Sequence, residues 1–194
     1  MADYIKIFLK FLRKFWDEKQ YIFYASDRRG YYHMWQDLEI DAGVQDQGIN
    51  ILIITVTGEE ATRIQYQSKQ KTQEEIMTIL HSVYGLDIPD PIDIYYYRWR
   101  FDPLFVGCYS NNPIGFSGED YKVLQSNVSR LYFAGEATDE LYNGYVHGAY
   151  FSGLHRAQKS LNILKKMKKI KKFNEKIHDD IAGSKIVLIF IFFV

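Results

Sequence analysis

Apolar and polar positions alternate one for one at the start of the chain. In residues 3–11, Ile5, Ile7, Leu9 and Phe11 fall on one side and Tyr4, Lys6, Phe8 and Lys10 on the other. A period of two predicts a half-buried strand. Residues 21–26 and 31–36 predict two more strands, joined at Asp27-Arg28-Arg29-Gly30 as a hairpin. The apolar run 50–57 predicts a central strand. Gly58 opens a predicted helix to about residue 69. Thr72, with Glu75 three residues on, reads as a capping box starting a second helix that runs through Tyr84 and is closed by Gly85. Ile76, Ile79, Leu80 and Val83 form its core face, and Glu59, Glu60, Arg63, Glu74 and Glu75 read as solvated faces. Pro89 and Pro91 place residues 87–93 in a loop, and 94–99 reads as a tyrosine-rich strand.

The run Leu131-Tyr132-Phe133-Ala134 predicts a short buried strand that ends at Gly135-Glu136. A turn-prone segment, 137–143, follows. Gly144 then leads into a helix from Val146 to about Leu161 that carries Gly148, Ala149, Ser152, Gly153 and Ala157. A strand feeding a helix with small residues at its start lets a cofactor approach backbone N–H groups, and it is equally the pattern of ordinary helix–sheet packing. Together the elements predict an α/β (α+β) class with a mixed sheet.

Composition narrows this only slightly. The chain has 194 residues, 47% of them hydrophobic, enough for one sizeable core. Lys+Arg and Asp+Glu both number 24, so the overall charge makes no case for nucleic acid or a strongly acidic partner. Aromatics reach 16%, which suits a cleft around an apolar or cationic ligand; a large core explains them too. The single cysteine, Cys108, excludes an internal disulfide framework. No signal-peptide pattern opens the chain. No metal ligand set is assigned.

The stretch RLYFAGEATDELYNGYVHGAYFSGLHRA resembles the C-terminal FAD-binding motif of the flavin-dependent amine oxidases, most closely that of the plant-type polyamine oxidases. The combination of Gly135-Glu136 with residues 142–150 is long and specific. The resemblance runs back through RRGYYHMWQ, LIITVTGEEATR and DYIKIFLKF, covering about residues 1–164. It implies a substrate-binding region over 1–97, the C-terminal part of a Rossmann-like FAD-binding region over 98–164, and a tail, 165–194, outside the family pattern. The Gly-x-Gly-x-x-Gly turn that holds the FAD pyrophosphate in this family is absent. A truncated gene product, catalytically inactive alone, is therefore an expectation beside the enzyme reading.

The resemblance also implies site residues. Lys6 falls on the family lysine that holds a water at flavin N5, although alternation alone reads it as a solvated strand residue. A lysine facing a partly dry aromatic cavity has its charged form disfavoured. Tyr4 falls on a substrate-facing tyrosine. Tyr109 and Tyr145 fall on an aromatic pair flanking the flavin, where π faces tolerate an amine's positive charge at roughly 0.5–2 kcal/mol per contact. Trp99, Gly135, Glu136, Gly144, Tyr145 and Val146 fall on FAD-binding positions, and Trp99 is expected to be buried in any case. A glutamate near pyrophosphate needs hydrogen-bond donors or helix N-termini around it. Cys108 stands where monoamine oxidases bond the flavin covalently; the polyamine-type motif favours non-covalent FAD and a small buried thiol. Arg100 and Asn112 stand where the plant pattern usually has tryptophan.

The implied activity is oxidation of spermine or spermidine at a carbon beside a secondary amine, giving an aldehyde, an amine and hydrogen peroxide, with molecular oxygen as the second substrate. A monoamine-type or histone-demethylase-like oxidase is the alternative. The sequence leaves the compartment open between extracellular (apoplastic) and cytoplasmic; a targeting segment would lie upstream of Met1. Beyond Leu164, six lysines between 165 and 172 precede an apolar end, IVLIFIFFV. Those nine residues are too few for the ~20 a membrane span needs. A basic run with an apolar end suits grazing contact with an anionic membrane, and a mis-spliced or read-through tail is the plainer explanation.

Overall fold

The computed structural model describes residues 1–44, 47–129 and 131–174, the last seven of these as helix backbone alone. The predicted apolar end, 186–194, lies outside the described residues. The chain divides into two compact units, Met1–Cys108 and Tyr109–Val194.

In the first unit, strand β1 (Tyr4–Lys10) realises the opening alternation. Ile5, Ile7, Leu9 and, just beyond, Phe11 are fully buried, while Tyr4, Lys6, Phe8 and Lys10 are half-buried. β2 (Tyr21–Phe23), β3 (Met34–Asp37), β4 (Ile51–Thr57) and β5 (Asp93–Tyr95) complete a five-stranded sheet of order β2-β3-β4-β1-β5. The run read as a central strand does lie at the centre. Every ladder is antiparallel, so the sheet expected to be mixed is not. The reason is topological. β4 and β5 each run against β1, so they share a direction, but β1 lies between them and they never pair.

The crossover between β4 and β5 carries two helices, α2 (Gly58–Tyr66) and α3 (Lys69–Tyr84); a short α1 (Leu38–Asp41) follows β3. Ala61, Ile64, Ile76, Met77, Ile79 and Leu80 from α2 and α3 join Ile5, Ile7, Leu9, Trp35, Leu52, Ile54 and Val56 in one core. Each fully buried aliphatic side chain is worth roughly 1.5–3 kcal/mol relative to exposure, so this sheet face is the main source of the unit's stability. The ladder register puts Tyr4, Lys6 and Phe8, with Thr55, Ile53 and Gln36, on the opposite face.

Several elements differ from the sequence pattern. The hairpin forms, but β2 and β3 are short, and residues 24–33 make a long connection. Tyr32 there is fully buried at φ 42, a conformation bulky side chains rarely adopt. The helix expected over 58–69 breaks after Tyr66. Ser68, whose hydroxyl accepts from Lys71 N–H, starts the next helix instead of Thr72. Thr72 is inside α3, fully buried and bonded to the Tyr96 hydroxyl at 3.1 Å. Gly85 at φ 85 ends α3 as expected. Val83 is exposed, and Met77 takes its place in the core. The strand expected over 94–99 stops at Tyr95, and Trp99–Phe101 is a 3-10 turn.

The second unit contains α4 (Gly118–Leu124), a 3-10 turn at Glu136–Thr138 and the long α5 (Val146–Asn174), which continues well past Leu161. The strand expected over 131–134 is not formed. Leu131 makes a single bridge to Val128, and Tyr132 and Ala134 are buried without a ladder. A strand needs a neighbour for its backbone groups, and none runs alongside among the described residues of this unit. α4 is absent from the sequence reading although Ser117 and Asp120 form a complete capping box.

The helix charges read as solvated are the largest correction. Arg63 grips Glu75 with two bonds of 3.1 and 2.9 Å and reaches Glu60 at 2.9 Å. The buried Tyr32 hydroxyl donates to Glu75 at 2.8 Å, and Gln67 bonds Glu75 and Thr72. Burial alone would raise the Glu75 carboxyl, but the bonds from Arg63, Tyr32 and Gln67 outweigh it and hold it below its ordinary value of 4.5. Burial and the adjacent Glu75 push the Tyr32 phenol far up. Only Glu59 and Glu74 are exposed as expected.

A carboxyl depressed in the folded state stabilises the fold above its unfolded value, and that contribution drains away as pH falls through the folded value. Stability is therefore expected to be flat near neutrality and to fall below about pH 4.5. Glu75→Gln is expected to cost about 2–3 kcal/mol at pH 7 and to flatten the acid limb, as measured by urea unfolding at pH 7 and pH 3.5.

Candidate functional site

The residues singled out from the sequence fall into both units. Tyr4, Lys6 and Trp99 belong to the first, and Cys108 closes it. Tyr109, Gly135, Glu136, Gly144, Tyr145 and Val146 belong to the second.

In the first unit, β1 presents Tyr4, Lys6 and Phe8 on the sheet face turned away from α2 and α3. Lys6 stands directly across from Thr55, and its Nζ donates to Gln36 Oε1 at 3.4 Å. The Thr55 hydroxyl donates to the same oxygen at 3.3 Å. Both partners are buried, so the ammonium has a fixed amide oxygen on one side. Its remaining N–H donors suit a water or a ligand atom. Phe8 lies 6.4 Å from the Tyr95 ring on the neighbouring strand. The ammonium thus stands on a sheet face flanked by aromatic rings.

Trp99 is half-buried rather than buried. The 3-10 turn swings its ring between Tyr97, at 4.5 Å, and Phe105, at 5.3 Å, instead of into the core. Arg100 is held in a structural role. Its Nη1 binds both Asp3 carboxylate oxygens at 2.9 Å, and its backbone N–H donates to Gln65 at 2.9 Å. Cys108 is a buried thiol. It donates from Sγ to Tyr4 O at 2.6 Å, and burial pushes its pKa up.

The second unit is organised by Glu136, which is 2% exposed. Gly135 before it sits at φ 144, where a side chain is strained, and is tied to Ser152 of α5 by a 3.0 Å bond. Oε1 of Glu136 accepts from Ser110 N–H at 2.8 Å. Oε2 accepts from the Ser110 hydroxyl at 2.6 Å and from Gly144 N–H at 2.7 Å. Asn143 Nδ2 closes the ring by donating to Ser110 Oγ at 2.8 Å. Ser110 follows Tyr109 and Gly144 precedes Tyr145, so one buried carboxylate gathers the backbones carrying both tyrosines. Neither Ser110 nor Asn143 was singled out from the sequence; each is a small polar residue beside a motif residue, and that adjacency was the available signal. Three of the roughly four acceptor positions of the carboxylate serve protein donors. Asn112 donates to the Tyr121 hydroxyl at 2.7 Å.

Tyr145 is 62% exposed and stacks on His147 at 5.2 Å, and Tyr109 is 37% exposed. Gly144, at φ 79, has nothing within 4 Å of where a Cβ would stand. The backbone is approachable there, beside the first turn of α5, whose N–H groups and dipole favour negative charge. Gly148 is needed for the opposite reason, since a Cβ would lie 2.2 Å from Tyr142 O. The start of α5 is therefore open to the approach of a ligand group at Gly144. A separate cleft of about 400 Å³, lined by His155, Arg156 and Lys159 among others, lies farther along α5, away from these residues.

Gly148→Ala is expected to push the 142–145 turn outward and to cost about 1–3 kcal/mol, the usual range for overpacking against backbone, measured by thermal melting. Glu136→Ala removes the acceptor for three donors. The expected result is that amide exchange at Ser110 and Gly144 rises together while exchange in β1 and β4 is unchanged.

A family model described as flavin containing amine oxidoreductase matches residues 1–160. The chain is 47% identical over 170 residues to polyamine oxidase 1 of Zea mays, covering 86% of this chain and 33% of that protein. It is 45% identical over 178 residues to polyamine oxidase 6 of Oryza sativa subsp. japonica, covering 90% and 35% respectively. The chain therefore spans about a third of the length of these curated relatives. Among solved structures, cyclohexylamine oxidase from Brevibacterium oxydans superposes with a TM-score of 0.65 at 19% identity, covering 85% of this chain and 36% of that one. Wild-type putrescine oxidase bound to putrescine gives 0.64 at 17% identity, covering 84% and 35%. At such identity these two show the fold alone. With the family model covering most of its length, the chain belongs to the flavin-containing amine oxidoreductases.

Proposed function

We propose that this chain carries the substrate-side and flavin-ring-side residues of a FAD-dependent polyamine oxidase. The observation that carries the reading is the Glu136 clamp, which draws the Tyr109–Ser110 and Gly144–Tyr145 backbones onto one carboxylate. Its support in comparison is the 45–47% identity to plant polyamine oxidases. In this reading residues 1–97 serve substrate and 98–164 serve the flavin.

Bound FAD supplies the two-electron acceptor for a carbon beside a secondary amine of spermine or spermidine, the imine product hydrolysing to an aldehyde and an amine, and molecular oxygen leaving as hydrogen peroxide. Lys6 holds a water through the donors that Gln36 leaves unused. Tyr4 meets the substrate chain. The Tyr109 and Tyr145 rings offer π faces to the ammonium groups that stay charged, while the reacting nitrogen must be neutral to release hydride. Trp99, Gly135, Glu136 and the 144–146 turn hold the cofactor. Non-covalent binding is supported by the state of Cys108: the thiol is buried and protonated, and it is occupied by Tyr4 O rather than poised as a thiolate.

The test is to incubate the purified chain with FAD, record the visible spectrum before and after acid precipitation, and follow peroxide with spermine and spermidine. Flavin bands released to the supernatant and peroxide formation are expected, with Lys6→Met lowering turnover by about 100-fold. A folded chain that takes up no flavin overturns the reading for this polypeptide. Spermine turnover left intact by Lys6→Met overturns the catalytic assignment. Flavin retained in the pellet points to a covalent bond at Cys108 and the monoamine type.

A further inference from the structure

Charge is distributed very unevenly along this chain. The total is zero, yet between Glu140 and Glu175 there is no acidic residue. Helix α5 lies wholly within that interval and carries Arg156, Lys159, Lys165, Lys166, Lys168, Lys169, Lys171 and Lys172. It thus bears a formal charge of +8, and the rest of the chain bears −8. Cations near a helix C-terminus are favoured by the dipole, but that effect fades within the last turn and does not account for a run spanning two.

The register of α5 adds a second observation. Ser152, Arg156 and Ser160 follow one another at four-residue spacing, and the two serines are buried, so this stripe faces the body of the unit. Continued along the helix, the same stripe becomes Ile163, Met167 and Ile170. Met167 is already 38% exposed. The six lysines between 165 and 172 take the other register positions.

An apolar stripe bordered by lysines is the pattern of a helix that lies in a lipid interface, apolar side down, with ammonium groups reaching the headgroups on flexible stems. Lysine serves as a point charge here, and nothing in the run is built for planar, bidentate recognition. Among the described residues no helix is long and apolar enough to cross a membrane, so a helix lying along the surface is the geometry that fits. We propose that the C-terminal turns of α5, residues 161–174, dock on an anionic phospholipid surface. The inference does not depend on the proposed oxidase activity, and its test needs no turnover.

The experiment is vesicle flotation of the full chain with phosphatidylcholine alone and with phosphatidylcholine containing phosphatidylserine. Binding is expected only to the serine-lipid vesicles. It is expected to disappear in 1 M salt, where screening shortens to about 3 Å. Lys165→Gln with Lys166→Gln is expected to weaken partitioning by about 25-fold, roughly fivefold per lysine. Met167→Asp keeps every lysine and is expected to weaken it again, with an unchanged melting curve. Four results overturn the proposal: no binding to anionic vesicles, equal binding to both vesicle types, binding indifferent to Met167→Asp but displaced by duplex RNA, or a melting transition lowered by Met167→Asp. The third would mark a purely electrostatic nucleic-acid surface, and the fourth would mean that the chain itself covers the stripe.

Discussion

The Glu136 carboxylate is the interaction on which the second unit's candidate site depends. It is almost completely buried, and it is held by one hydroxyl and two backbone N–H groups. Those donors come from segments more than thirty residues apart. Each would otherwise be a solvent-exposed turn beside an exposed tyrosine. Burying a carboxylate costs several kcal/mol unless hydrogen bonds replace its water, so the arrangement is all or nothing. Once the carboxylate is buried, both turns must come to it. The glycines around it divide the labour. Gly135 accepts a backbone angle that side chains avoid, Gly148 lets the Tyr142 carbonyl approach, and Gly144 keeps the start of α5 open.

The first unit solves a different problem. A five-stranded sheet has two faces, and α2 with α3 covers one of them. The strict alternation of β1 then commits Tyr4, Lys6 and Phe8 to the other face, since a one-residue slip would move all four core residues out of the interior. Lys6 is thereby placed by burial of its neighbours rather than by contacts of its own. The buried Gln36 and Thr55 beside it give its ammonium a fixed reference point at modest strength. On the core side, the Arg63–Glu75–Tyr32 cluster ties α2, α3 and the β2–β3 connection together. It also explains how Tyr32 is held at an unfavourable backbone angle.

Legibility in the sequence followed the range of the interaction. β1 and β4 were visible because their patterns are local and long, and Gly85 because a positive φ selects its residue type. The capping residue of α3 was misplaced because Thr72–Glu75 satisfies the same local rule as Ser68, and only the break at Gln67 decides between them. Glu60, Arg63 and Glu75 look like any amphipathic surface in one dimension. Their partners come partly from the distant β2–β3 connection, where Arg28 reaches Glu60 and the Tyr32 hydroxyl reaches Glu75. The run 131–134 has the composition of a strand, yet pairing requires a neighbour that composition does not supply. The family motif marked Glu136, Tyr109 and Tyr145 individually; that one carboxylate binds the backbones beside both tyrosines was not readable from it.

By itself, the sequence determined the family, the helix-and-sheet class, the central strands and the types of residue available for chemistry. These rest on local periodicity, on glycine's backbone freedom and on a long contiguous motif. The tertiary structure decided which charges are buried, which of two caps starts α3, that Trp99 rests between Tyr97 and Phe105 rather than in the core, and that Ser110 and Gly144 share one acceptor. Each of these is a contact between residues far apart in the chain. A carboxylate's solvation, or a ring's burial, is set by what folds against it, and that is not encoded at the position itself.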